Sequence, residues 1–138
     1  MRGESDTRNR GAVLDSVTRE EAVRRLLDVL PEFRPYCDNS DGRPTAPGDE
    51  LLIHVVMGDL ARFYMAHGVD DPDVAARFWR VVEELAAHGD QAVENAVHVS
   101  LIEWFAWGDD TEQAALVSAG ALQGPKTKAI RAYYLLPE

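Results

Sequence analysis

Residues 89–104 read GDQAVENAVHVSLIEW. A glycine and an aspartate are followed by apolar residues at Val93, Ala96, Val97 and Leu101. Intervals of three and four place such residues on one face of a helix. Asp90 suits the cap position, where a carboxylate accepts hydrogen bonds from free amides and complements the helix dipole. Gly89 is expected to end the preceding helix in a left-handed conformation. Over residues 91–106 the segment is apolar nearly all round, which predicts a central helix with neighbours on both sides.

The same punctuation recurs along the chain. Asp49 follows Gly48, Asp71 precedes Pro72, and Asp110 follows Gly108-Asp109. Proline fits the first helical position. The four aspartates 49, 71, 90 and 110 are 22, 19 and 20 residues apart, one helix and one short turn per interval. Upstream, Thr18 and Glu21 have the spacing of a capping box, and Val17 is placed to pack on Ala22 as a staple. Ala22, Val23, Leu26, Leu27 and Leu30 continue at helical spacing. Pro31 should stop this helix and Pro35 should hinder its resumption. Residues 37–48, CDNSDGRPTAPG, are rich in turn formers and read as a loop. A last helix is expected from Gly124-Pro125, carrying Lys126, Lys128, Ile130, Tyr133 and Tyr134.

Residues 72–88 are amphipathic, with Asp73, Arg77, Arg80 and Glu84 on one face and Val74, Phe78, Val81, Val82 and Leu85 on the other. Residues 50–66, like 91–106, are apolar nearly all round. No stretch alternates with a two-residue period, so no sheet is expected. The fold class is all-α: a short HEAT-like helical stack or an orthogonal bundle of five to six helices. Two helices per roughly forty residues is the period of HEAT repeats, and residues 89–104 resemble their inner helix. Short turns between helices of similar length favour antiparallel neighbours.

The chain has 138 residues, which suits one domain. Residues 1–16 are polar and aperiodic and are expected to be a disordered arm, and residues 17–138 a single helical domain. The one cysteine, Cys37, has no internal disulfide partner, which suits a reducing compartment. The start of the chain holds no apolar run of signal-peptide length. The most apolar stretch, residues 51–65, is interrupted by His54, Asp59 and Arg62 and does not read as a membrane span. The expected location is the cytoplasm.

Net charge is −10, unevenly spread. Residues 1–34 balance seven basic against seven acidic side chains, whereas residues 35–124 hold four against sixteen. So acidic a middle repels a phosphate backbone and argues against nucleic-acid binding. It attracts a basic protein partner, although acidity also simply keeps a protein soluble.

Enzymatic motifs are not evident. His54, His67, His88 and His98 include no pair at the spacing of a helical zinc site. His67 and His88 precede helix-ending glycines, where an imidazole favours the negative helix end; His54 and His98 read as packed. An EF-hand is excluded around Gly42, because the first and twelfth ligand positions fall on Cys37 and Gly48. Cys37 has no activating neighbour, the serines have no nucleophile-elbow setting, and no phosphate-binding glycine loop occurs. Neither metal nor cofactor is expected.

Two carboxylates stand in apolar helices, Asp59 and Glu103. A buried charge needs a partner, so Asp59 is expected to pair with Arg62, and Glu103 with Lys126, Lys128 or the helix start at Gly124. Were they to converge in one pocket, they would suit general acid and base roles. Glu103-Trp104-Phe105-Ala106-Trp107-Gly108-Asp109-Asp110 is the most suggestive cluster. Tryptophans beside carboxylates suit a hot spot for a basic partner. The competing reading puts both tryptophans in the core and uses the aspartates only as caps. Trp104 has core spacing, and Trp107, at the helix end, is the one expected to be exposed.

Gly58 to Phe63 (GDLARF), the Gly89-Asp90 turn, Ser100 to Glu103 (SLIE) and Gly124 to Thr127 (GPKT) together resemble a family of small uncharacterised helical bacterial proteins. Its members resemble immunity proteins, which neutralise toxins used between competing bacteria. The resemblance implies a stoichiometric binding protein against a basic toxin such as a nuclease. The expected partner-binding residues are Trp107, Asp109, Asp110, Glu103 and Asp59, with no catalytic residue. Two alternatives stay open: a small enzyme using Asp59, Glu103 and a histidine, and a helical-repeat scaffold.

Overall fold

A computed structural model describes residues 16–38 and 50–135 of the chain. The expected arm over residues 1–16 (save Ser16), the cap at Asp49 and the loop after Asp38 lie outside these residues. Among the described residues there are seven helices and no strand. They are α1 (Arg19–Val29), α2 (Arg34–Asp38), α3 (Glu50–Phe63), α4 (Pro72–His88), α5 (residues 91–106), α6 (Asp110–Ser118) and α7 (Pro125–Tyr134). The protein is an all-α helical bundle, with the six helices read from the sequence plus the short α2.

The helix starts follow the sequence closely. Thr18 and Glu21 form the capping box of α1. Asp71 caps α4 by accepting from the Asp73 and Val74 amides, with Pro72 at the first position, and Asp90 caps α5 by accepting from the Val93 amide at 3.0 Å. Three expectations need correction. Pro35 does not hinder a helix but lies in the first turn of α2, where its missing N–H has no carbonyl to lose. The cap of α6 is Asp109, not Asp110. The Asp109 carboxylate accepts from the Glu112 amide, while Glu112 accepts from the Asp109 amide, a reciprocal box that starts the helix one residue earlier. Gly89 is extended (φ −66°, ψ 153°), not left-handed. Its hydrogen serves space instead, because a Cβ there would fall 2.5 Å from both the Leu85 carbonyl oxygen and Val93 Cγ1.

The core joins all the long helices. From α4 it takes Val74, Phe78, Val81, Val82 and Leu85, as the amphipathic pattern requires, and also Trp79. Tyr64, Phe78, Trp79 and Phe105 form a connected set of rings with centroids 4.4–6.0 Å apart. Val17 is buried, and its backbone ties the start of the described chain to the α4–α5 turn. It donates to the His88 carbonyl and accepts from the Asp90 amide, both at 2.8 Å.

Both central helices widen locally to i→i+5 hydrogen bonding, α3 running on as Tyr64–Gly68 and α5 through Val97–Ile102. Helix α3 packs on this wide turn of α5, where His54 Nδ1 and Ser100 Oγ lie 2.5 Å apart. Neither helix is enclosed on every side. One face of α5 reaches the surface through Gln91, Glu94, Asn95 and Val99, and that face forms the groove described next.

Candidate protein-binding groove

Glu94 and Asn95 each lie three or four residues from both Gln91 and His98 along α5, so the four share a stripe. The C-terminal turn of α7 lies across from them with Tyr133 and Tyr134. Between the two runs an open groove of about 1170 Å³, closed at one end by Glu103 and Trp107. Helix α7 is fixed at its other end, away from Tyr133 and Tyr134. Glu83 of α4 accepts hydrogen bonds from the Lys126 amide at 3.1 Å and the Thr127 amide at 2.9 Å. Glu103 therefore does not hold the α7 start, as its sequence position suggested.

Trp107 follows directly on α5 and is 70% exposed. Its ring stands edge-on to Tyr134, centroids 5.8 Å apart at 89°. Tyr133 and Tyr134 are also perpendicular, at 5.0 Å and 87°. The Tyr134 hydroxyl is 2.9 Å from His98 Nδ1, which fixes the ring on the groove floor. Burial raises the Tyr134 hydroxyl pKa above its ordinary value, and the charge of Glu103 and the neighbouring Tyr133 raise it further. At neutral pH the phenol is therefore protonated. A second, smaller groove of about 590 Å³ lies on the other side of Trp107, bounded by His54, Ser100, Trp104 and Glu112. Glu103 and Trp107 line both grooves.

The five residues expected at a partner site divide into two groups. Glu103 and Trp107 line the grooves. Asp109 and Asp110 are exposed beside them but line neither, and Asp109 is engaged as a cap. Asp59 also lines neither. It accepts from Arg62 at 2.9 Å, the expected pair, and its other oxygen is buried without a hydrogen bond. Neither of these two grooves therefore brings Asp59 together with Glu103. Trp104 is half-buried against the core, edge-on to Phe105 at 5.2 Å. His54 and His98 are hydrogen-bonded between helices, but His98 also faces the groove. His67, at the end of α3's wide turn, lies 3.0 Å from the Tyr36 hydroxyl. Sequence reading missed Tyr133, Tyr134 and His98 as groove residues. Thirty-six positions separate His98 from Tyr134, and only packing brings them together.

Among the described residues no group of three or more His, Cys, Asp or Glu is placed to hold a metal ion, and no helix is long and apolar enough to cross a membrane. What fold and site define is a helical bundle with an acid-rimmed aromatic groove on its surface. The chain belongs to the family described as "Domain of unknown function (DUF7674)", whose model matches residues 23–134. No curated protein and no solved structure matches it.

Proposed function

We propose that the protein is a non-catalytic binding module that takes a basic protein partner at the α5–α7 groove, in the manner of an immunity protein neutralising a basic toxin. The carrying observation is Trp107, a large ring 70% exposed beside the Glu103 carboxylate. Exposing so much aromatic surface is unfavourable in isolation, and tryptophan is the side chain most enriched at interface hot spots. The acidic charge of residues 35–124 supplies long-range attraction for a basic partner. The enzyme reading gains no support from the two grooves, since Asp59 lines neither. The scaffold reading gains no observation of its own.

Co-expression with the product of the adjoining gene tests this. The partner should co-purify at low salt, and its association should slow as ionic strength rises. Asp110→Lys should slow association while leaving the fold intact, since Asp110 is exposed and is not the α6 cap. An association rate indifferent to both salt and Asp110→Lys would count against the proposal.

A further inference from the structure

We infer that the α5–α7 groove is a guanidinium site, seating an arginine side chain of the basic partner on the faces of Trp107 and Tyr133 with its charge toward Glu103. This rests on the binding reading above and names the chemical group that the groove selects. Trp107 and Tyr133 leave 70% and 66% of their surfaces open to solvent. Each meets Tyr134 almost at a right angle, so one ring braces both. His98 contacts Tyr133 at 5.3 Å and holds the Tyr134 hydroxyl, which fixes the brace to α5. The rings are therefore held in place before a ligand arrives.

Ring faces carry negative potential and attract cations. Two carboxylates, Glu94 and Glu103, line the same groove. The Glu103 backbone is bonded within the helix, but among the described residues no hydrogen bond or ion pair engages its carboxylate, whose oxygens are available to an incoming donor. Burial chiefly, and then the charge of Glu103, raise the Tyr134 hydroxyl pKa above its ordinary value at the groove floor. An anion would be repelled, and an apolar side chain would leave the carboxylates without a partner. Between the two biological cations, arginine fits better. Its planar, weakly hydrated group stacks flat on a ring while its edge donates in a fork to a carboxylate, whereas lysine is a compact, strongly hydrated point charge.

The test is titration of the full chain with acetylated oligo-arginine and oligo-lysine of equal length at low salt, following the indole N–H resonances by NMR. Oligo-arginine should bind about threefold or more tightly and shift the Trp107 indole. Trp107→Ala and Glu103→Gln should each remove this preference, and Trp107→Phe should keep part of it. Tyr133→Leu repeats the test on α7 if Trp107→Ala melts early. Equal, salt-sensitive binding of both peptides in every variant would overturn the guanidinium site and leave the basic-partner reading standing. Binding of neither peptide would overturn both.

Discussion

Glu83 and Thr127 lock the last helix to α4. The Glu83 carboxylate accepts from the Thr127 amide at 2.9 Å and from its hydroxyl at 2.8 Å, and Thr127 is fully buried. Gly124 leaves room for this contact, because a Cβ there would collide with the Glu83 side chain. Removing the acceptor strands two buried donors. Glu83→Ala should therefore cost about 2–3 kcal/mol in denaturant unfolding. Glu83→Gln, which keeps an acceptor oxygen, should cost less. Since α7 carries Tyr133 and Tyr134, Glu83→Ala should also broaden the resonances of both rings.

The caps make a sharper test of register. Asp71→Ala, Asp90→Ala and Asp109→Ala should each lower stability by about 0.5–2 kcal/mol. Asp110→Ala should cost less, because a carboxylate inside the first turn contributes only through the dipole, about 0.3–1 kcal/mol. Chemical denaturation of the four variants reads the order directly. A larger loss at Asp110 than at Asp109 would contradict the reciprocal box with Glu112.

Acid should act through Glu32. Arg77 donates to both of its oxygens, at 3.0 and 2.7 Å, and also to the Val29 carbonyl and to Asp73. The hydrogen bonds from Arg77 hold the Glu32 pKa down at about 2, from an ordinary 4.5. A depressed carboxyl pKa stabilises the fold fully above the unfolded value and loses that stabilisation as pH falls through the folded one. The melting temperature of Glu32→Gln should therefore lie below that of the wild-type protein at pH 6. The gap should narrow between about pH 4.5 and pH 2. The pair is partly exposed, so added salt should shrink it as well.

Local chemistry was legible in the sequence where it depends on neighbours a few residues apart. Thr18 with Glu21, Asp71 with Pro72 and Asp90 with Val93 are such cases, and the core face of α4 follows from its periodicity. The α6 cap was misplaced by one residue because Asp109 and Asp110 are both good caps, and only the position of Glu112 decides between them. The groove was half legible. Trp107 and Glu103 stand together in one helix end, but His98, Tyr133 and Tyr134 join them only through the packing of α7, which Glu83 fixes from forty-odd residues away. Asp59 pairs with Arg62, as three-residue spacing on a helix allows, while its other oxygen is buried without a hydrogen bond.

The most direct measurement is the affinity of Trp107→Ala for the co-purified basic partner, taken by calorimetry beside its melting temperature. Binding should weaken by about 2 kcal/mol or more, as for an interface hot spot, with the melting temperature nearly unchanged because the ring is 70% exposed. Unaltered affinity in a folded Trp107→Ala protein would show that the partner binds elsewhere and that the groove is not its site.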